Sequence, residues 1–238
     1  MPDLDLTVAG YGLDPAGDSS SRRAQLYRVA RELRALTDQL SRSAASAEEL
    51  GAAADALTAV VDALRVSGTE TREWGGFSDA SDVISDDGVP VERFGHFDRS
   101  PMVGLGNGIA PPLRLVVDDD VVRGDVVFGP AYEGPPGHVH GGWIAAAFDE
   151  VLGIAQTLSG SAGMTAWLRV DYRRATPLGA PIRYEGRCDR IDGRKILTTG
   201  QAFHGETGVL LDDAQALFIA VDFAAIAARQ AAENGAGS

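Results

Sequence analysis

Residues 133–153, EGPPGHVHGGWIAAAFDEVLG, constrain the fold of this chain more than any other segment. A turn rich in proline and glycine leads into the HGG motif of residues 140–142, and an almost entirely apolar helix follows over about 141–158. A helix that is apolar on most sides has to be buried in a core. Asp149 and Glu150 interrupt it, and an ionised carboxylate among apolar side chains costs several kcal/mol unless it is compensated. We therefore expect this helix to carry chemistry.

The sequence around the helix predicts an antiparallel sheet. LRLVV and VVRGDVVFG are typical of two strands joined by a hairpin turn at residues 118–120, DDD. Further strands are predicted after the helix, at about 164–174, 181–191, 195–204 and 208–222. Turns this short join antiparallel neighbours. One buried helix with one such sheet predicts an α+β fold in which the helix lies across the concave face.

Alternation along the first strand after the helix divides its side chains between two faces. It places Thr165 with Trp167, Arg169 and Asp171 on one face, and Leu168 with Ala166, Val170 and Tyr172 on the other.

Two amphipathic helices are predicted before this domain. Leu26, Val29, Leu33, Leu36 and Leu40 form one apolar stripe, and Leu50, Ala53, Leu57, Val60 and Leu64 form another. Ser46 and Glu49 form a capping box at the second helix. Such short stripes favour docking on a neighbouring domain or subunit. The predicted divisions are a disordered tail (1–20), a helical hairpin (21–66), a connector (67–112) with a turn at GLGNG, the main domain (113–225) and a flexible tail (226–238).

Charge and composition narrow the function classes. A net charge of −13 argues against general nucleic-acid binding. Eight basic residues nevertheless fall within residues 169–195, which favours either a site for a phosphorylated small ligand or solvated strand faces. No apolar run is long enough to span a membrane, and MPDLDLTVAG lacks the basic and then apolar pattern of a secretion signal, so neither is expected. Cys188 is the only cysteine. These features predict a cytoplasmic protein.

Helical projection separates the two carboxylates. Asp149 falls on a face with Gly142, Ala146, Gly153 and Gln156, where small side chains leave room for a ligand or a partner backbone. The opposite face, which should pack on the sheet, consists of Ile144, Phe148, Val151, Leu152 and Ala155. Glu150 lies on a flank. Asp149 is therefore the better catalytic candidate and Glu150 the better structural one, although pairing of Asp149 with an arginine stays open.

The beginning of the helix predicts an oxyanion site. Its first N–H groups have no intrahelical acceptor, and Gly141 and Gly142 have no side chains to block an approaching carbonyl oxygen. His140 could orient this turn, whereas His138 and His140 alone are a weak metal pair, so no metal is expected. Asp149 lies about 10–12 Å farther along the helix. A base and an oxyanion donor acting on one carbonyl therefore require two antiparallel helices from a dimer.

The two motifs, EGPPGHVHGGWIAAAFDEVLG and then GMTAWLRVDYRRATPLG, resemble the hotdog-fold acyl-CoA thioesterases of the PaaI-like group. The resemblance covers roughly residues 113–222. It implies a five- or six-stranded antiparallel sheet around the helix and sites at a homodimer interface, with pairing into tetramers left open. It further implies Asp149 as general base or nucleophile, Gly141 and Gly142 as oxyanion donors, His140 beside the thioester, and Thr165 orienting the water or Asp149.

The expected substrate is an acyl-CoA or related acyl thioester, and no cofactor is expected besides the coenzyme A that the substrate carries. Arg194 and Lys195, with Arg173 and Arg174, are the expected contacts of its phosphates. Gly134 stands where some relatives carry Asn or Gln beside the reacting carbonyl. The alternative is a non-hydrolytic hotdog protein that binds an acyl or aromatic ligand and uses its helical N-terminus as an interaction module.

Overall fold

The computed structural model describes residues 21–66, 68, 97–222, 225, 226, 229 and 232. The predicted tail over 1–20, the connector before residue 97 apart from residue 68, and most of the tail after 226 lie outside them. The helices are α1 (Arg22–Leu40), α2 (Ala47–Val66) and α3 (Gly141–Ala155), and short 3-10 helices occupy Phe97–Arg99, Pro130–Tyr132 and Gln156–Ser159. The strands are β1 (Arg114–Asp118), β2 (Val121–Val127), β3 (Gly163–Tyr172), β4 (Pro181–Asp192), β5 (Lys195–His204) and β6 (Leu210–Ala220).

The six strands form one antiparallel sheet in the order β1-β2-β4-β5-β6-β3. Helix α3 packs against five of these strands, and its predicted inner face is buried, with Phe148, Val151 and Leu152 fully inaccessible. The predicted hairpin turn after β1 is also present, and Asp119 adopts a positive φ of 55° there. The predicted hotdog fold, a sheet wrapped around one central helix, is confirmed.

A row of small residues lets α3 approach the sheet closely. Gly186 on β4 and Gly200 on β5 are register partners. A Cβ on Gly186 would lie 2.8 Å from Val151, and one on Gly200 would lie 2.9 Å from the Glu185 carbonyl and 3.1 Å from Leu152. Because side chains at these positions would push the helix outward, the glycines set the distance between α3 and the sheet.

A β-bulge in β3 changes which side chains face the helix. Thr165 is opposite Phe218 and Trp167 is opposite Leu217, so Ala166 is an extra residue between them. Residues opposite each other share a face. The buried β6 residues Phe218, Ala216, Ala214 and Asp212 are opposite Thr165, Leu168, Val170 and Tyr172 respectively. The predicted grouping of Thr165 with Trp167 is therefore wrong, because the bulge reverses the alternation after Thr165.

Helix α1 packs on the segment before β1, whereas the apolar stripe was expected to dock on a neighbouring domain or subunit. Val29, Leu33 and Leu40 of that stripe remain 42–50% exposed. Ala30 is buried, and Leu26 and Leu33 contact Gly106 and Gly108 of the predicted GLGNG turn so closely that neither glycine could carry a Cβ without displacing them. Arg34 donates to the carbonyl of Asn107 at 2.8 Å and to that of Leu105 at 3.2 Å. The segment itself enters the core through Met102 and Val103.

Helix α2 has the predicted capping box: the Glu49 carboxylate accepts from the Ser46 N–H at 2.8 Å, and Ser46 Oγ accepts from the Glu49 N–H at 3.3 Å. None of its residues is buried against the described part of the chain. Within that part, no helix is long and apolar enough to cross a membrane.

Candidate active site

His140 caps helix α3. It has extended backbone angles (φ −63°, ψ 132°), and its Nδ1 accepts from the Gly142 N–H at 3.0 Å. Among the described residues, no hydrogen bond uses the Gly141 N–H. The two glycines expected to act as equivalent oxyanion donors therefore differ in this chain. Gly141 offers an unused N–H, whereas that of Gly142 is already bonded to the capping imidazole.

Backbone hydrogen bonds hold this turn from both sides. The His140 N–H donates to the Tyr132 carbonyl at 2.9 Å, and the Val139 N–H donates to the Thr176 carbonyl at 2.9 Å. From the end of β3, the Tyr172 hydroxyl donates to the Gly141 carbonyl at 2.9 Å. The contact of Tyr172 could not be predicted from the sequence, because nothing in the alternation along β3 shows that this strand crosses the beginning of the helix.

Asp149 lies on the exposed side of α3 and accepts a hydrogen bond from Thr165. The distance from Thr165 Oγ1 to Asp149 Oδ1 is 2.9 Å. Beside it, a Cβ on Gly153 would find nothing within 4 Å, so the predicted open face is present in the chain. The predicted membership of Gln156 in this face is wrong, because α3 tightens into a 3-10 helix at that residue and its side chain is buried. Two of the predicted site residues are thus in direct contact.

Glu150, and not the exposed Asp149, carries the cost of burying a carboxylate in this helix. Burial, and to a smaller extent the neighbouring charge of Asp149, raise the pKa of Glu150 to about 7 against the opposing effect of a hydrogen bond from Ser100. Ser100 Oγ also accepts from the N–H groups of Met102 and Val103, at 3.2 Å each. Glu150 therefore joins the helix to the segment before β1, which is the structural role predicted for it.

The chain alone does not bring the carboxylate and the oxyanion donor together. Asp149 and Gly141 are eight residues apart on one straight helix, on the order of 12 Å. At the beginning of β3, Thr165 contacts Asp149, and at its end, Tyr172 contacts Gly141. The beginning of β3 therefore lies beside the candidate catalytic carboxylate, and its end lies beside the turn that leads into Gly141 and Gly142.

The four basic residues expected to bind phosphates lie at opposite ends of the sheet. Lys195 is the first residue of β5 and is opposite Ile219 near the beginning of β3, whereas Arg173 and Arg174 follow the end of β3. Arg173 is paired with Asp213. Within the described part of the chain, Arg174, Arg194 and Lys195 make no ion pair, although Arg194 Nε donates to the Ala220 carbonyl at 3.0 Å.

Other arginines of the same segment are neutralised locally. Arg169, Arg183 and Arg187 pair with Asp171, Asp125 and Asp120 at 2.9–3.0 Å. Much of the basic cluster seen in the sequence is therefore a set of cross-strand and turn ion pairs, and it does not form one continuous basic surface.

The fold and these contacts are those of a thioesterase-type hotdog domain, and comparison with known proteins agrees. Residues 136–211 match the family model described as Thioesterase superfamily. A solved structure described as protein RHA08564, a thioesterase superfamily protein, is 33% identical, covers 85% of this chain and 92% of its own, and superposes with a TM-score of 0.69. The chain therefore belongs to the thioesterase superfamily.

Curated relatives are similar over the same region. Acyl-coenzyme A thioesterase THEM4 of Xenopus laevis is 40% identical over 91 residues, which are 38% of this chain and 41% of that protein. The protein of the same description from Bos taurus is 33% identical over 121 residues, 50% of each. The matched region thus spans half or less of the length of these curated relatives.

Proposed function

We propose that this protein hydrolyses acyl-CoA thioesters to a free acid and coenzyme A. The observation that carries the proposal is the hydrogen bond from Thr165 to Asp149 on the open face of α3. It fixes one carboxylate oxygen and leaves Oδ2 able to accept a proton from water. The similarity to curated acyl-coenzyme A thioesterases supports the substrate class.

The proposed reaction is attack of water on the thioester carbonyl. Asp149 takes a proton from the water as its oxygen bonds to the carbonyl carbon, and the carbonyl oxygen becomes an oxyanion that accepts from the Gly141 N–H. The intermediate then collapses, the C–S bond breaks, and the proton on Asp149 passes to the departing thiolate. In the alternative nucleophilic mechanism, the Asp149 carboxylate attacks the carbonyl itself, the C–S bond breaks and coenzyme A leaves as the thiolate. Water then hydrolyses the mixed anhydride, which restores the Asp149 carboxylate and releases the acid, and a proton from that water passes to the thiolate.

We further propose that the site forms between two copies of the chain, paired through their β3 strands. Among the described residues, β3 pairs with β6 alone, and its other edge presents N–H and C=O groups that pair with no described strand. Trp167 and Tyr172 on this strand are 43% and 54% exposed. Antiparallel pairing of two such edges would bring the Thr165–Asp149 end of one subunit beside the Tyr172–Gly141 end of its partner.

The same pairing would bring together the basic residues that are expected to bind the phosphates of coenzyme A. It would bring Arg173 and Arg174 of the partner subunit toward the end of the sheet that carries Arg194 and Lys195. Arg174, Arg194 and Lys195 make no ion pair within the described chain, so their charges are available to phosphate oxygens. On this proposal, Arg194→Ala raises KM for acyl-CoA and leaves kcat close to that of the wild type.

The chain provides a matched test of Asp149. Asp189 on β4 is also exposed and also accepts from a threonine, Thr199, at 2.9 Å, but it lies away from α3. Asp149→Asn should lower kcat for acyl-CoA hydrolysis by 100-fold or more. Asp189→Asn should leave kcat unchanged. Equal activity of Asp149→Asn and the wild type would contradict the assignment.

A panel of acyl-CoAs with a thiol reagent tests the activity itself and separates it from the alternative. Release of free thiol with at least one acyl group supports hydrolysis. Saturable binding without thiol release would instead support the non-hydrolytic ligand-binding protein. A single turnover in ¹⁸O water then tests the nucleophilic mechanism, because ¹⁸O enters the Asp149 carboxylate only when water attacks the Asp149 carbonyl of an anhydride intermediate.

A further inference from the structure

A buried carboxylate is connected to the turn that leads into Gly141 and Gly142. Asp212 on β6 is fully inaccessible, and its Oδ2 accepts from the Thr176 hydroxyl at 2.9 Å. Thr176 is itself 1% exposed. Burying a carboxylate is costly, and the proposed reaction does not use this group. Its position therefore needs a reason.

Register places Asp212 in a row that crosses the sheet. Tyr184 on β4 is opposite Ala202 on β5, Ala202 is opposite Asp212, and Asp212 is opposite Tyr172 on β3. Opposed residues share a face, so Asp212 and Tyr172 point to the same side of the sheet as the buried Tyr184, whose ring packs edge-on against Phe148 of α3. The row therefore lies under the helix.

Asp212 and Tyr172 are each connected by hydrogen bonds to the turn before α3. Asp212 accepts from the Thr176 hydroxyl, and the Thr176 carbonyl accepts from the Val139 N–H at 2.9 Å. The Tyr172 hydroxyl donates to the Gly141 carbonyl at 2.9 Å. Val139 and Gly141 are the residues on either side of His140, which caps the helix.

From this arrangement we infer that Asp212 is a positioning residue that fixes the turn presenting the Gly141 N–H. It touches no reacting atom and acts through Thr176. Burial, with a smaller contribution from the charge of Asp213, raises the pKa of Asp212 to about 6 against the opposing effect of the Thr176 hydrogen bond. At neutral pH the carboxylate is therefore mostly ionised and its hydrogen bond is charge-assisted. The role in turnover rests on the proposed thioesterase activity, whereas the effect on the turn does not.

The test compares Asp212→Ala and Thr176→Val with Thr198→Val. Thr198 is another fully buried threonine, whose hydroxyl donates to the Ala216 carbonyl at 3.4 Å, remote from the turn. A misplaced donor can reduce turnover by up to about 100-fold. Asp212→Ala and Thr176→Val should therefore each lower kcat roughly 10- to 100-fold, with KM changed less than about threefold. Asp212→Asn, which keeps an acceptor for Thr176, should recover part of the loss.

Amide hydrogen exchange measures the turn without reference to activity. The Val139 amide should exchange at least about tenfold faster in Asp212→Ala than in the wild type, while core amides of β4 and β5 keep their protection. In Thr198→Val, the Val139 amide should be unaffected. Unchanged Val139 exchange in Asp212→Ala, or an equal effect of Thr198→Val, would overturn the inference. A wild-type protein inactive on every thioester would refute the proposed function alone, because the exchange comparison still decides the role of Asp212.

Discussion

Thr165 donates a hydrogen bond to Asp149 because the β-bulge at Ala166 turns Thr165 toward the helix. Regular alternation places Thr165 on the same face as Trp167, whereas its register partner is the buried Phe218. Bulges often redirect a side chain beside an active site. Here the irregularity joins the strand and the helix at the candidate catalytic carboxylate.

Removing the Thr165 hydroxyl should reduce turnover without unfolding the protein. Thr165→Val keeps the side-chain shape but leaves Asp149 without its donor, and we expect kcat to fall about 10- to 100-fold. Thr165→Ser should retain most of the activity because it keeps a hydroxyl. Thr199→Val, which removes the equivalent donor to Asp189, is the control and should leave kcat intact. Full activity of Thr165→Val would show that the contact has no role in turnover.

Substituting proline for Gly141 should remove its backbone N–H with little change in the backbone conformation. It is the first residue of α3, where proline is tolerated, and His140 before it already has the extended angles that a following proline requires. Gly141→Pro should lower kcat by about 100- to 1,000-fold if this N–H holds the oxyanion. Gly141→Ala adds the same Cβ, 3.3 Å from the Tyr172 hydroxyl, but keeps the N–H. Equal losses in both variants would point to crowding and would count against the oxyanion role.

The proposed two-subunit site predicts that two defective variants restore activity when they are mixed. Pure Asp149→Asn and pure Gly141→Pro proteins should both be nearly inactive. Mixed after dissociation and reassociation, they should regain activity, because one of the two sites in each mixed dimer combines an intact Asp149 with an intact Gly141. Absence of recovery, with mixed dimers verified by mass spectrometry, would contradict a site shared between subunits.

Pairing through the β3 edge predicts how the proposed dimer can be disrupted. Trp167→Lys places a charge on a strand whose one neighbour in the described part of the chain is β6, and it should give a monomer by light scattering together with loss of turnover. Ile191→Lys on β4, where the replaced side chain is 54% exposed, is the control and should remain dimeric. A dimeric Trp167→Lys protein with normal activity would refute pairing through this edge.

The raised pKa of Glu150 predicts that the free energy of unfolding differs between the wild type and Glu150→Gln in a pH-dependent way. Its pKa rises from 4.5 when unfolded to about 7 when folded, mainly because of burial. The neutral acid is favoured in the folded state, so this contribution is complete below pH 4.5 and is lost as the pH rises through 7. Glu150→Gln should match the wild type near pH 4 and exceed its free energy of unfolding by roughly 1–3 kcal/mol at pH 8. Denaturant unfolding across this range measures the difference. Parallel curves for the two proteins would contradict it.

The sequence predicted the elements well because their signals are local. Periodicity along α3 identified the buried face, and short turns identified the strands around it. The role of Thr165 came from the family resemblance alone, since a bulge is a property of the pairing between β3 and β6 and leaves no mark in alternation. The roles of Tyr172 and Asp212 were missed for a similar reason, because their partners Gly141 and Thr176 are 31 and 36 residues away along the chain.

Helix α1 is also connected to the site, through Asp38. Its carboxylate accepts from the Ala131 N–H at 3.1 Å, and the next residue, Tyr132, provides the carbonyl that holds the His140 N–H. The first helix and the capping histidine are therefore separated by one short run of backbone. A substitution at Asp38 should therefore alter the geometry of a histidine about a hundred positions away along the chain.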